Sequence, residues 1–535
     1  MVKITGNPKK INLSTSSFKR MIEKNLLYVD KTKFIESFLE EGSDVQLITR
    51  HRRLGKSLNM DTLRCFLTDR EDNSHLFKGL YIENSHVWKE INSAPVFYFD
   101  FKGLKPDIFR FQIFDYIKKF LELYCEEKHL SVGAKRYLKE ESGNDTDALL
   151  HLMESVYNAT GKNSYILVDE YDKALADNYK TEYYEEIRDF ETSLFSAALK
   201  GNPYLEKALL TGVMRISRES MFSGLNNTKV YDIFDDNVYT EDYGLTEEEV
   251  DELNKLVNFD KNQLRKWYNG ICVNKKPIYN TYSVMSFLED GVYDCYWGQS
   301  GTTDIIVEMM NDTRASDISK MLAGGTIKAY INPRISFKDI ASDTKDEDFY
   351  SLLVQGGYLS VLEKPKELSS MVLNIPNQEL KIVWKRFVIK HVFGGISVLH
   401  DLFANSFNLN EFSKNLKSII SDRLSYYDLV GDKEQAYHMF LLGFLSAHGD
   451  SKVKLPVSNM ESGDGRLDIC IERKEGIFIF EIKQGEAHEL EKLAQQALEQ
   501  IEEKRYGSEF IDKRVVKVGI AFCKKQAFVK CREEA

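Results

Sequence analysis

VQLITRHRRLGKSLNM, residues 45–60, decides how this chain is read. Its first five residues, VQLIT, are an apolar, β-branched run long enough for one buried strand. RHRRLGKS follows at once, and Leu58, Leu63, Phe66 and Leu67 continue at helical spacing. Strand, glycine-lysine-serine turn and helix form the context that a phosphate-binding loop requires. The N–H groups of such a turn, with the helix N-terminus behind it, present partial positive charge to a phosphate. Lys56 is expected to reach the outer phosphates of a nucleotide, and the Ser57 hydroxyl to ligate Mg²⁺.

The pattern G-x-x-x-x-G-K-[ST] places its first glycine on Arg50, so only Gly55 remains. Arginine does not take positive φ cheaply, so the loop must enter its turn differently. Arg50, Arg52 and Arg53 add charge beside the phosphate position, and Arg52 and Arg53 count as nucleotide-binding candidates with Gly55, Lys56 and Ser57. On its own, GKS also describes a basic turn before a surface helix. The strand before it, the helix after it and an acidic partner downstream favour the nucleotide.

That partner is SYILVDEYDKAL. Tyr165–Val168 reads as a buried strand delivering Asp169 and Glu170 at its end. Asp169 is the candidate Mg²⁺ ligand, and Glu170 the candidate base that orients the attacking water. A strand in PVFYFDFKGL and helices at about 108–130 and 183–200 lie around it. A further strand, at 207–213, precedes Arg215 and Arg218. Ligands bind at that edge of open α/β sheets, so Arg215 is a candidate γ-phosphate sensor. Strand and helix alternate through this half, which implies a parallel sheet.

Four segments, YVDKT, ITRHRRLGKSLNMDTL, YILVDEYDKAL and TGVMRISRESMFSGLNN, resemble the bacterial AAA-ATPase-like family. That family usually reads TRPRRFGKSL at the loop, so the missing first glycine is a family trait. His51 stands here for proline and Leu54 for phenylalanine, and neither exchange supplies chemistry. The resemblance spans residues 5–230 and implies ATP and Mg²⁺.

Residues 243–394 read as a mostly helical middle region with a few short strands, a lid or coupling element. Thr246 and Glu249 are spaced as a capping box. Trp267, Tyr268, Tyr279 and Asn280 belong to W-Y-x-G and I-Y-N patterns resembling the same family's downstream segment, and read as structural.

A second constellation lies in residues 395–535. RLDICIE and IFIFEIK form two strands of a hairpin, with Asp468 on the first and Glu481 and Lys483 on one face of the second. An acidic residue, a gap of twelve and E-x-K resemble the PD-(D/E)xK nuclease superfamily. Asp468, Glu481 and the Ile482 carbonyl offer hard oxygen ligands for Mg²⁺ or Mn²⁺. Lys483 would orient or deprotonate a water and stabilise charge on phosphorus. The resemblance also assigns Glu434, on a preceding helix, as a further metal ligand. Gln496, Gln500 and Tyr506 resemble a Q…Y element of such nucleases, with Gln500 and Tyr506 at an unusual spacing of six.

At 535 residues the chain has room for several domains. The expected division is an ATPase-like P-loop domain at 1–242, the middle region at 243–394 and an α/β restriction-endonuclease-like domain at 395–535. A net charge of −11 shows no global basic character, so nucleic-acid contact must come from local patches or metal ions. The seven cysteines make no C-x-x-C pair and suit a reducing cytoplasm. No apolar run reaches the ~18 residues of a membrane span. The expected function is an ATP-binding and hydrolysing module coupled to a metal-dependent nuclease, with DNA favoured over RNA as partner. The alternative is an ATP-switched module that binds nucleic acid or protein through an inactive nuclease fold. Homo-oligomers are expected to be possible, because many P-loop ATPases borrow an arginine from a neighbour.

Overall fold

Val45–Thr49 forms strand β1, and all five of its side chains are buried. Residues buried on both faces belong in the middle of a parallel sheet. The other strands are β2 (Val96–Asp100), β3 (Ser164–Asp169), β4 (Leu205–Gly212) and β5 (Thr228–Tyr231). Together they make one sheet in the order β2-β3-β4-β1-β5, with every neighbouring pair parallel. This is a computed structural model, and it describes residues 2–534 apart from 139–145, 215–226, 235–237, 298–305, 307, 323, 334, 336–344, 364–369, 394–411, 415, 418–419, 421–436, 439–440, 442–444, 446–456, 474–475, 511–512 and 525. Arg215, Arg218 and Glu434 fall outside the described residues, as does most of the helix expected around Glu434.

Parallel neighbours need crossovers, and helices supply them. Helix α1 (Lys56–Leu67) follows β1, α2 (Phe109–Tyr124) follows β2, and α3 (Ala148–Thr160) and α4 (Tyr184–Leu199) flank β3. Phe97 and Phe99 of β2 meet Phe120 and Tyr116 of α2 with ring centroids 5.0 and 5.7 Å apart. The α2 pattern suggested a helix running to residue 130, but Cys125 turns extended and a 3₁₀ turn at Glu127–His129 follows. Strand β5 carries no clear alternation and was not anticipated from sequence.

The chain clusters into two units, Met1–Gln299 with Thr326–Leu380, and Ser300–Gly325 with Lys381–Ala535. The first holds the parallel sheet and much of the helical middle region. There α5 (Glu247–Val257) starts at the expected capping box, Thr246 accepting from the Glu249 N–H and Glu249 accepting from the Thr246 N–H. It is followed by α6 (Thr281–Asp290) and α7 (Asp346–Gly356), and α8 (Gln378–Phe393) begins at the end of this unit. Leu253, Leu264, Tyr268, Tyr279 and Phe287 share one core.

The second unit is built on five strands, β6 (Val457–Ser462), β7 (Gly465–Arg473), β8 (Gly476–Gln484), β9 (Val515–Cys523) and β10 (Gln526–Glu534), in sequence order across the sheet. All pairs are antiparallel except β8 with β9, which α9 (Leu490–Glu503) connects. Alternation sends Ile469, Ile471, Phe478, Phe480 and Ile482 to one face, and Ile477 and Ile479 to the other, against Leu498 and Ile501 of α9.

Gly519 of β9 is where α9 comes closest. A Cβ there would lie 2.3 Å from the Ala494 carbonyl oxygen, a backbone atom that cannot swing away. Gly519→Val is expected to destabilise this unit by about 1–3 kcal/mol. Circular dichroism during urea unfolding should show an earlier transition than in the wild type.

Candidate functional sites

The register of the parallel sheet gathers polar groups at one edge. Asp100 pairs with Asp169 across β2 and β3, and Thr49 pairs with Gly212 across β1 and β4. Thr211, next to Gly212, donates its hydroxyl to Asp169 Oδ1 at 2.7 Å. The β1–α1 turn opens onto this same edge. Gly55 takes φ +91° before the first residue of α1, a left-handed backbone that favours glycine.

Arg50 shows how the turn dispenses with its first glycine. The side chain is fully buried and points away from the turn. It donates to the carbonyls of Thr49 at 2.8 Å, Tyr231 at 3.0 Å and Tyr239 at 3.3 Å, and lies 5.4 Å from the Tyr243 ring centroid. The backbone instead turns at Arg53, φ +64°.

Lys56 is buried, with Nζ donating to the Arg50 and His51 carbonyls at 3.0 and 2.9 Å. Burial lowers its pKa, while Asp169, Glu170 and Asp172 act in the opposite direction. Those three carboxylates therefore lie within electrostatic reach of the ammonium group. Glu170 has φ +51° and a pKa raised chiefly by burial, with the Lys56 charge opposing. Asp172, also pushed up by burial, accepts from the Val213 and Met214 N–H groups at 2.9 and 2.8 Å and so fixes the end of β4. Ser57 is half-buried in the first turn of α1.

The middle region reaches the tip of this turn. His51 Nε2 lies 2.9 Å from the Val354 carbonyl of α7, and burial holds its pKa down at about 3, so the ring is neutral. Gly357 sits against that ring, where an added Cβ would be 2.9 Å from His51 Cγ. The Arg53 guanidinium stacks 4.3 Å from the Tyr282 ring centroid and donates to the Tyr296 carbonyl. Asn280, the N-cap of α6, also donates to the Arg52 carbonyl at 3.4 Å. Leu54 accepts from the Gly244 N–H at 2.9 Å.

In the second unit Ile469 lies opposite Phe480, and Asp468 and Glu481 are the next residues along. Both side chains reach across the same face. Asp468 Oδ2 accepts from the Ile482 N–H at 2.8 Å, and Glu481 Oε2 from the Asp468 N–H at 3.4 Å. Gln500 of α9 joins the set by donating to Glu481 Oε1 and accepting from Lys483 Nζ at 2.6 Å. Tyr506 donates to the Arg466 carbonyl at 2.7 Å. His438 Nε2 lies 3.0 Å from the Asp468 carbonyl.

Residues 12–222 match the family model described as "Predicted AAA-ATPase", and residues 432–532 match that of the "PD-(D/E)XK nuclease superfamily". The chain joins an AAA-ATPase-like domain to a PD-(D/E)XK superfamily domain. It is also similar to a curated protein of Azotobacter chroococcum mcd 1, "Uncharacterized protein in vnfD 5'region". The two are 26% identical over 522 residues, which is 94% of each chain. No helix among the described residues is long and apolar enough to cross a membrane.

Among the described residues no three His, Cys, Asp or Glu side chains converge as a metal site. The two carboxylates that do meet in the PD-(D/E)XK domain, Asp468 and Glu481, are hard oxygen donors suited to Mg²⁺ or Mn²⁺. At the ATPase-like edge, Ser57 and Asp169 offer the same chemistry. Thr211, Asp100 and Asp172 escaped the sequence reading. Asp100 carried the same signal as Asp169, an acid ending an apolar strand, whereas Thr211 is marked only by being polar within KALLTG.

Thr211→Val deletes the hydroxyl donor to Asp169 at constant shape. Asp169 Oδ1 keeps the Glu170 N–H at 3.1 Å, so the loss of one of these two donors should cost about 1 kcal/mol. Thermal unfolding of the full chain should show the loss, and Thr211→Ser should recover most of it.

Proposed function

We propose that the chain binds and hydrolyses ATP at the 50–57 turn and cleaves nucleic-acid phosphodiesters at Asp468, Glu481 and Lys483. The ATPase reading rests on Lys56 lying within electrostatic reach of Asp169 and Glu170 at one sheet edge. The nuclease reading rests on Asp468 and Glu481 crossing on one face, with Gln500 bridging Glu481 and Lys483.

At the first site the turn's N–H groups and the N-terminus of α1 grip phosphate oxygens. Lys56 exchanges its two carbonyl partners for the outer phosphates, gaining charged acceptors for neutral ones. Arg52 adds positive charge at the turn, and Arg53 and Arg215 are further candidates for phosphate contact. Mg²⁺, when bound, neutralises charge on the phosphates, and Ser57 and Asp169 are the residues that would hold it. Glu170 receives the proton of the attacking water, a task its burial-raised pKa favours.

At the second site Asp468 and Glu481 would hold Mg²⁺ or Mn²⁺, joined by Glu434. The cation's chemistry there is to neutralise the scissile phosphate and acidify water. Lys483 leaves Gln500 to orient the attacking water and stabilise charge developing on phosphorus. DNA is the favoured substrate over RNA. The middle region, 243–394, couples the two sites, since it holds the tip of the ATP-binding turn. A cytoplasmic setting suits both activities, and homo-oligomers would allow an arginine from a neighbouring copy to complete the ATP site.

Lys483→Ala is expected to reduce Mg²⁺- or Mn²⁺-dependent plasmid nicking at least about 100-fold. Equal nicking by both proteins would remove Lys483 from the chemistry. DNA binding with no cleavage under either metal would favour an ATP-switched binding module. Glu170→Gln should slow ATP hydrolysis by about 10²-fold or more while leaving ATP affinity within about threefold. Phosphate-release kinetics and equilibrium titration with a fluorescent ATP analogue measure the two separately.

A further inference from the structure

Glu379 is a buried carboxylate in the first turn of α8, 1% exposed, and no step described so far uses it. Both of its oxygens have partners. Oε1 accepts from the Tyr296 and Trp297 N–H groups at 2.9 and 2.8 Å. The Ser283 hydroxyl of α6 lies 2.9 Å from both oxygens. The start of α8 is itself anchored, because Asn377 accepts from the Leu380 N–H at 2.9 Å and donates to the Asn269 carbonyl at 3.0 Å. One carboxylate thus ties together α6, α8 and the 296–297 segment.

That segment is what receives Arg53. The Tyr296 carbonyl accepts from the Arg53 guanidinium, and Tyr282, next to Ser283 on α6, supplies the ring beneath it. The Arg53 charge also acts on Glu379 directly. Arg53 is the residue at which the phosphate-binding turn adopts a left-handed backbone. A left-handed arginine persists only where its surroundings hold it.

We propose that Glu379 is a positioning residue for the phosphate-binding turn, acting through the Tyr296–Trp297 backbone and Arg53. It builds the socket that keeps Arg53, and with it Gly55 and Lys56, in the conformation that receives a nucleotide. A shift of the first turn of α8 would reach the turn through this carboxylate. The proposal rests on the reading of residues 50–57 as the ATP-binding turn.

Hydrogen–deuterium exchange of the nucleotide-free full chain tests the socket without ATP. Glu379→Ala should speed exchange in a peptide covering 50–57 by about tenfold, leaving β8 at the wild-type rate. Glu379→Gln keeps an acceptor for the two N–H groups and should return the turn to within about threefold of wild type. Titration with a fluorescent ATP analogue should show affinity about fivefold weaker in Glu379→Ala and near wild type in Glu379→Gln. Turn exchange in Glu379→Ala within about twofold of wild type overturns the proposal. Should that variant not fold, Tyr282→Leu removes the ring under Arg53 and carries the same expectation and the same refutation. A wild-type chain that binds no ATP analogue would overturn the nucleotide reading and leave the exchange result to judge the socket.

Discussion

An ammonium group folded back onto its own loop governs the N-terminal half. Lys56 is out of water and bonded to two neutral carbonyls, with three carboxylates within reach of its charge. Burying a cation this way is costly unless negative charge is near. The parallel sheet supplies that charge, because its register brings the end of β3 to the edge where the β1 turn opens. A one-residue slip in β3 would send Asp169 to the opposite face, away from the Thr211 hydroxyl. Strand order, register and turn conformation therefore stand or fall together.

The PD-(D/E)XK domain solves a related problem with different parts. Lys483 does not contact the Glu481 carboxylate directly. Gln500 stands between them, accepting from one and donating to the other. An amide has both functions on one planar group, so it keeps opposite charges close without letting them collapse into an ion pair. Both lysines thus rest on neutral oxygens, Lys56 on two backbone carbonyls and Lys483 on the Gln500 amide.

Much of this was legible in the chain because the informative residues sit close together in sequence. VQLITRHRRLGKS contains strand, turn and helix start in one stretch, and SYILVDE contains strand and acids in another. The D…ExK pair was readable because alternation alone puts Glu481 and Lys483 on one face. What escaped depends on long-range register. Thr211 becomes Asp169's partner only once β4 lies beside β3, and nothing in KALLTG announces that neighbour. Arg50 looked like a charge for the phosphate side. Its true surroundings come from Tyr231, Tyr239 and Tyr243, some 180 residues away, which offer carbonyls and a ring that no local pattern encodes. The partners of His51 and Arg53 in the middle region are remote for the same reason.

Gly357 gives the contact between α7 and His51 a hard limit. The residue has φ +84°, and its Cα faces the imidazole with no space for one more carbon. Even a methyl there would act as a wedge driven under the β1–α1 turn from a position with no chemistry of its own. The tightness of that turn is therefore set partly by the absence of a side chain three hundred residues downstream, and a graded series of small residues at 357 would serve as a dial on it.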